Sequence, residues 1–305
     1  MRMIVTGRMS VLLTVGVLLV AHTPTASAQV PASGALRRAA PAPEPAAAPA
    51  WVTNLRGQLG ASINNPGAQL AFEVSRLRPL SRSRHLLLAD AHVGMGGTAA
   101  FTPANVGGGV WAEVAPLSVF VVRVGAEPAF YFGTFHTLSS FNSRSDPFDT
   151  DSLRQRDSAA TGTTTRVYVT PTIRLRARRL VGLASADVEW WSSTAAGPFF
   201  YAPSRDTLLD VSGDWLTTVT SAVLYEHPLA SGRLSTGITH SRMRSRAGSL
   251  NQVQRLGVVI SRQSTGHLFA FRAPTITLSA ARYLDHPSKQ GQWTAVMAIG
   301  FALRR

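Results

Sequence analysis

The feature of this sequence that most constrains its fold is an alternation of apolar and polar residues with a period of two. In residues 166–178, every second residue from Val167 to Ala177 is apolar or proline, and the residues between them are arginine, threonine or tyrosine. The end of the chain shows the same period, at Trp293, Ala295, Met297, Ile299 and Phe301. Because successive side chains of a β-strand point to opposite faces, this period predicts strands with one apolar face.

The same pattern predicts about twelve strands from Trp51 onward. They lie near residues 53–63, 67–78, 86–97, 108–117, 119–132, 164–178, 181–191, 215–226, 232–244, 252–263, 267–284 and 292–303. Most are longer than the mean globular strand of about 5–6 residues. Their length matches the roughly 9–11 residues that a tilted strand needs to cross a bilayer.

The gaps between the predicted strands differ in length between the two sides. The two longest, 133–163 and 192–214, follow the fifth and seventh strands, whereas the gaps after even-numbered strands are short. Because antiparallel strands alternate in direction, both long gaps open on the same side. Long loops on one side and short turns on the other are typical of bacterial outer-membrane barrels.

Aromatic residues cluster near the predicted strand ends, as in the interfacial girdles of such barrels. They are Phe130, Tyr131, Phe132, Trp190, Trp191, Phe199, Phe200, Tyr201, Trp215, Tyr225, Tyr283 and Trp293. A soluble β-sandwich is the alternative, but it explains neither the strand lengths nor the difference in gap length between the two sides.

The amino terminus predicts export. Residues 1–28 combine early arginines, a short apolar stretch over Ser10–Ala21 and a small-residue cleavage site ending at Ala28. An uncleaved anchor is the alternative, although the apolar stretch is shorter than the ~20 residues of a membrane helix. Residues 29–50 alternate proline with alanine and predict an extended linker. The barrel is then expected over 51–305.

Composition removes several classes of protein. The chain has no cysteine, which excludes a disulfide scaffold, a Cys-ligated metal site and an acylated lipoprotein. Its hydrophobic content of 45% excludes a disordered chain. The net charge is +14, and every basic residue except Lys289 is arginine. Such charge attracts phosphates or anionic lipid, or it reflects the codon usage of a high-GC genome. No nucleic-acid motif accompanies it, so no nucleic-acid partner is predicted.

Together these features resemble the bacterial outer-membrane β-barrel families over residues 51–305. The resemblance is one of architecture and implies an all-β fold, a transmembrane antiparallel up-and-down β-barrel in the outer membrane. It also implies contact with outer-membrane lipid and lipopolysaccharide, and assembly by the barrel-assembly machinery. Such families end their last strand on an aromatic residue, which Phe301 matches, although Ala302–Arg305 extend beyond it.

The polar register of the strands is expected to face the lumen, because an arginine facing lipid near the midplane costs ~2–4 kcal/mol. The principal candidates are Arg123, Glu127, Arg166, Arg174, Arg176, Asp187 and Glu189, accompanied by Arg56, Glu73, Asp90, His92 and Glu113. Arg174 and Arg176 are expected to pair with Asp187 and Glu189 across a tight hairpin. Two interpretations stay open: a network of ion pairs that plugs a narrow barrel, or an open lumen that favours anions.

Other polar groups are expected at the barrel ends. Arg242, Arg244 and Arg246 are placed on the outer side, either near lipopolysaccharide phosphates or solvated in a loop. The acidic run Asp146–Asp151 is interpreted as turn-forming; calcium binding is the alternative. No cofactor and no metal site are predicted.

The sequence therefore predicts a non-enzymatic passive channel for small solutes, including anionic ones. A surface lipid hydrolase is one alternative and would need a serine within reach of a histidine. The candidate pairs are His240–Ser241, His286–Ser288 with Asp285 nearby, and His136 with Ser139 or Ser140. A closed structural or adhesive barrel that acts through its long extracellular loops is the other alternative.

Overall fold

The computed structural model describes residues 50–64, 66–81, 83, 85–135, 137–156, 160–246, 248–268 and 271–303. The predicted signal peptide and all but the last residue of the predicted linker lie outside these residues, as do His136, Arg304 and Arg305. In the described part of the chain no helix is long and apolar enough to cross a membrane.

The described residues form sixteen strands and one short helix. They are β1 (Val52–Ile63), β2 (Gly67–Pro79), β3 (His92–Phe101), β4 (Asn105–Leu117), β5 (Phe120–Phe132), β6 (Ser140–Phe141), α1 (Thr150–Arg154), β7 (Thr161–Ala177), β8 (Leu180–Ser193), β9 (Phe199–Ala202), β10 (Thr207–Asp210), β11 (Asp214–Leu229), β12 (Gly232–Ser245), β13 (Gly248–Ser264), β14 (His267–Leu268), β15 (Phe271–Asp285) and β16 (Trp293–Leu303).

Twelve of these strands form a closed antiparallel barrel, which confirms the predicted fold class. Each barrel strand pairs with the next along the chain, and β1 pairs with β16 to complete the ring. The two-residue strand β14 extends the barrel edge beside β15. Strands β6, β9 and β10 form a separate small sheet.

The two faces of the barrel strands differ as the alternation predicts. Val110, Val223 and Ile238 lie on the outward face and are 69%, 61% and 60% exposed. The alternate residues point inward and are mostly polar or small. A closed barrel pairs its backbone groups between strands, and an apolar outer band then suits hydrocarbon. The chain is therefore a transmembrane barrel of the outer-membrane type.

One predicted strand begins at the wrong residue. The apolar run Leu86–Leu88 was expected to open the third strand, but it lies in a turn in which the Leu88 and Ala89 amides donate to the His85 carbonyl. Leu86 is 87% exposed and has no strand partner. The strand begins at His92 instead, so the connection 80–91 is long and the prediction of uniformly short turns on this side is wrong.

The two long connections, 133–160 and 194–213, open at the same end of the barrel, as predicted. They contain β6, α1, β9 and β10, and we call these two segments the plug. Leu138, Phe200 and Leu209 of the plug are 0% exposed and pack with inward side chains of six barrel strands. The plug therefore fills part of the barrel mouth.

Only part of the expected aromatic girdle lies on the outward face of the barrel. Phe130, Phe132 and Trp215 do lie on the outward face, at 46%, 42% and 46% exposure. Their sequence neighbours point inward, because adjacent strand residues alternate between faces. Among the other aromatic residues expected in the girdle, Tyr131, Trp191 and Tyr283 point inward from barrel strands, and Phe200 and Tyr201 lie in β9 of the plug; all five are buried.

Candidate functional site

The lumen contains three groups of charged side chains that project from the barrel strands. The first is centred on Glu189 of β8, which is 0% exposed. Arg166 of β7 donates to its Oε1 from Nε at 2.9 Å, and Arg205 of the plug donates to its Oε2 at 2.6 Å. The Trp191 indole donates to the same Oε2 at 2.9 Å. Arg166 also reaches Glu127 on β5, at 2.6 Å. This group therefore joins the barrel wall to the plug.

The second group is centred on Arg123 of β5. Its guanidinium donates to Glu113 Oε2 at 2.9 and 2.8 Å and to Glu73 Oε2 at 3.2 Å. Its Cζ lies 3.9 Å from the centroid of the Trp111 ring. Trp111 in turn lies against Gly96, where an added Cβ would come within 2.5 Å of the ring. The glycine lets the ring lie flat on the wall, and the arginine stacks on the ring.

The third group lies near the short-turn end. Arg176 of β7 and Arg233 of β12 meet the two carboxylate oxygens of Glu226 at 2.5 and 2.8 Å. Arg174 lies in the same inward register of β7. The Arg176 side chain is 49% exposed. Arginine is therefore in excess at this end of the lumen.

The expected pairing across the β7–β8 hairpin is wrong. The turn consists of residues 178–179, which sets Arg174 opposite Leu183 and Arg176 opposite Val181. Asp187 instead accepts a hydrogen bond from the Thr170 hydroxyl at 2.6 Å. Such a tight turn fixes the register, so residues further up β8 are out of reach of the two arginines.

A fourth group is buried where the plug meets the loop 286–292. Asp206 is 1% exposed and accepts hydrogen bonds from Tyr201, Tyr283 and Lys289 at 2.9, 2.7 and 2.7 Å. His286 Nε2 lies 3.1 Å from Asp206 Oδ2. Burial alone would raise the pKa of Asp206, but the charge of Lys289 and the proximity of His286 hold this pKa well below its usual range.

Part of the lumen wall is lined mainly by small residues. Its inward register on β16 and β1, and on the long-loop half of β3 and β4, contains Ala298, Gly300, Ala302, Gly60, Ser62, Thr98, Ala100, Gly107 and Gly109, together with the larger Val296, Gln58 and Arg56. A Cβ added at Gly300 would meet no atom within 4 Å. Thr98, Ala100 and Gly107 are partly exposed although they point inward. This wall therefore borders open space.

The proposed serine–histidine pairs have other bonding partners. His286 Nδ1 accepts hydrogen bonds from the Ser288 and Lys289 amides, each at 3.0 Å. Ser288 Oγ accepts from the Phe148 amide at 3.3 Å. His240 lies 2.9 Å from Gln254 through its Nε2 and on the face opposite Ser241. Neither histidine is therefore placed to activate its neighbouring serine.

The acidic run lies within the plug and bonds to backbone amides. Asp149 caps α1 and accepts from the Asp151 and Ser152 amides at 3.0 Å. These hydrogen bonds, led by that from Ser152, lower the pKa of Asp149. Asp146 accepts from the Asn142 and Ser143 amides at 3.2 Å. Among the described residues, no three His, Cys, Asp or Glu side chains are grouped to hold a metal ion.

Sequence reasoning missed the charged residues supplied by the loops. Arg205, Asp206 and Lys289 lie in stretches without alternation, so no period assigned them to a face. Glu226 and Arg233 did carry a signal, because both fall in the inward register of predicted strands.

Comparison with solved structures finds barrels of related architecture. The KdgM porin in complex with disordered oligogalacturonate is 8% identical, with a TM-score of 0.40 over 83% of this chain and 99% of that chain. The NanC porin is 12% identical, with a TM-score of 0.36 over 82% and 100%. The beta domain of the Bordetella autotransporter Brka is 11% identical, with a TM-score of 0.41 over 83% and 98%. No family model and no curated protein matches the chain. The fold assignment therefore rests on this chain's own strand pairing.

Proposed function

We propose that this barrel is a passive channel for small solutes, with a preference for anions. The observation that carries the proposal is the asymmetry of the lumen. The groups centred on Arg123 and Glu189 lie along β2, β4, β5, β7 and β8, whereas the wall formed by β16, β1 and the long-loop half of β3 and β4 bears mainly small side chains. This arrangement supports a path between that wall and the plug.

The charged side chains are held close to the wall rather than extended across the lumen. Trp111 lies against Gly96, and Tyr168 lies against Gly125, where an added Cβ would come within 2.6 Å of the ring. The Arg166 guanidinium stacks on Tyr168, with Cζ at 4.2 Å from the ring centroid. Aromatic rings seated on glycine thus reduce the cross-section that the arginines occupy.

The preference for anions follows from the charge at the short-turn end. Arg174, Arg176 and Arg233 share that end with Glu226, and Asp90 lies at the same end, in the connection between β2 and β3. An excess of fixed positive charge in a narrow space raises the local concentration of anions. A small anion approaching from this end would therefore meet a favourable potential.

A closed barrel that acts through its loops is the second candidate. The core of the plug favours it, because Leu138, Phe148 and Leu208 are 0% exposed, as in a packed protein interior. A rigid plug of this kind also suits a surface that other molecules contact. The two candidates differ in whether ions cross the barrel.

The deciding experiment is planar-bilayer conductance of the purified protein, with the reversal potential measured under a salt gradient. Heat-modifiable mobility on a gel establishes beforehand that the barrel is folded. Steady, anion-selective current is the expected result. A folded sample that conducts no current overturns the channel and favours the closed barrel.

A further inference from the structure

The outer wall of the barrel carries an arginine patch at its long-loop end. Arg242 and Arg244 alternate along the end of β12, Arg246 follows in the turn, and all three residues are exposed. Strand pairing sets Arg242 opposite Val219, which is 48% exposed on the outward face. The Arg242 and Arg244 side chains therefore lie on the outward face, away from the lumen.

The depth of the patch follows from the residues beside it. The Arg246 amide donates to the Trp215 carbonyl at 2.8 Å. Trp215 is 46% exposed on the outward face and lies opposite Trp190. Tryptophans in this position mark the boundary of the bilayer. Arg242 lies four residues from Arg246 in the direction of the short-turn end, about 13 Å along the strand at roughly 3.3 Å per residue. The patch therefore begins at the headgroup region on the long-loop side, which is extracellular in such barrels, and extends from there into the outer leaflet.

The patch is preorganised by a neutral side chain. Gln252 Oε1 on β13 accepts from Arg242 Nη2 at 3.2 Å and from Arg244 Nε at 3.0 Å. Its amide nitrogen donates to Asp285 Oδ2 at 2.8 Å. In the described part of the chain, no carboxylate forms an ion pair with the three arginines. Gln252 thus orients two guanidinium groups without neutralising them.

We propose that Arg242, Arg244 and Arg246 bind the phosphate groups of a phosphorylated glycolipid in the outer leaflet. Guanidinium groups bind phosphate through paired, charge-assisted hydrogen bonds. A lipid-facing arginine costs ~0–1 kcal/mol near the interface and ~2–4 kcal/mol at the midplane, so an anionic partner is most favourable for the deeper Arg242, whose long side chain extends towards the headgroups.

The surface next to the patch favours a lipid over a free anion. Ile238, Leu256 and Val258 lie on the same outward face of β12 and β13, further than Arg242 from the long-loop end, and they are 60%, 44% and 55% exposed. A molecule with phosphates at the level of the arginines would lay its acyl chains on these side chains. Phosphate binding at this patch does not depend on whether the lumen conducts ions.

The test compares the full chain in detergent micelles with two triple variants. One carries Arg242→Gln, Arg244→Gln and Arg246→Gln. The matched control carries Arg76→Gln, Arg78→Gln and Arg262→Gln, which removes three exposed, outward arginines at the opposite end. Binding is measured with lipid A that carries its phosphates, with the dephosphorylated form and with inorganic phosphate. Heat-modifiable mobility verifies that each variant is folded.

The expected result is that the first variant binds phosphorylated lipid A at least about tenfold more weakly, as loss of charge-assisted hydrogen bonds predicts. The control variant should bind as the parent does, and the dephosphorylated lipid should bind both parent and variant weakly. An equal loss in both variants would overturn the site, because attraction would then be non-specific. Inorganic phosphate that binds the parent and displaces the lipid at equal concentration would overturn the assignment to a lipid.

Discussion

The ammonium group of Lys289 lies 2.7 Å from a carboxylate oxygen of Asp206, and the two side chains are 1% and 2% exposed. Lys289 belongs to the loop between β15 and β16, whereas Asp206 lies in the turn between β9 and β10 of the plug. This buried ion pair therefore fastens the plug to a barrel loop that is distant in sequence.

Replacing Lys289 with methionine should loosen the plug without unfolding the barrel. Loss of one partner from a buried ion pair costs about 3–5 kcal/mol, because the other charge stays buried without compensation. We expect faster proteolytic cleavage within 133–160 or 194–213 and noisier conductance. Lys289→Arg, which retains the charge, should be closer to the parent. Equal cleavage rates in the parent and the methionine variant would contradict this role.

The attachment of the plug should depend on acid pH through Asp206. The pKa of this carboxyl is well below its usual range in the folded protein, because Lys289 and His286 outweigh the effect of burial. Its contribution to stability is therefore present above the unfolded pKa of about 4 and declines as the pH falls towards the folded value. Cleavage within the plug by an acid-active protease should rise below about pH 4. In Asp206→Asn the plug should be loose at neutral pH, and this carboxyl's contribution to the pH dependence should be absent.

Glu189 should be the most sensitive carboxylate of the lumen. Two arginines and the Trp191 indole donate to it, and it is 0% exposed. Glu189→Gln should lower the free energy of unfolding by about 3–5 kcal/mol. Glu127 bonds to Arg166 but is 27% exposed, so Glu127→Gln should cost only about 1 kcal/mol or less. Urea unfolding followed by gel mobility compares the two variants, and equal losses would contradict this ranking.

A bulky side chain on the small-residue wall should obstruct the channel. Ala100 points inward and Ala99 points outward on the same strand. Ala100→Trp should reduce single-channel conductance clearly, because the ring would fill space between the wall and the plug. Ala99→Trp adds the same ring on the lipid side and should conduct as the parent does. Identical conductance in the two variants would place the ion path elsewhere.

Removing inward arginines should reduce anion selectivity. A unit charge about 8 Å from an ion in water contributes roughly 0.5 kcal/mol before salt screening. The double variant Arg174→Gln, Arg176→Gln should therefore lower the anion-to-cation permeability ratio about two- to fivefold. Arg262→Gln removes an exposed arginine on the outward face at the same end and should leave the ratio unchanged. A reversal potential unaffected by the double variant would exclude these arginines from selectivity.

The barrel could be predicted from the sequence because its signal is local. Alternation assigns each strand residue to a face, and Val167 and Val169 lie outward while Arg166 and Tyr168 lie inward, as that signal requires. Leu86 was assigned to a strand although it lies in a turn. Three consecutive apolar residues fit a strand as well as a turn, and only the absence of a pairing partner distinguishes the turn from a strand.

The plug could not be predicted, because its structure depends on contacts between distant segments. Leu138 packs against Gly162, and Arg205 reaches Glu189 only once the barrel wall exists. No alternation in the sequence marks Leu138 or Arg205. The ion pair between Arg176 and Glu226 was missed for a different reason. Glu226 lies on β11, which is separated from β7 by β8, and cross-strand pairing rules consider only adjacent strands.

The ring in which β1 pairs with β16 also determines the order of folding. Arg56 lies opposite Ala302, so the residues that meet here are separated by nearly the whole barrel sequence. No hairpin between neighbouring strands can form this contact. The entropic cost of bringing β1 and β16 together therefore belongs to the last step of folding, in which the barrel closes. Until that step the edges of β1 and β16 expose unpaired backbone groups that invite association with other chains. The newly made chain therefore needs protection until its first and last strands have met.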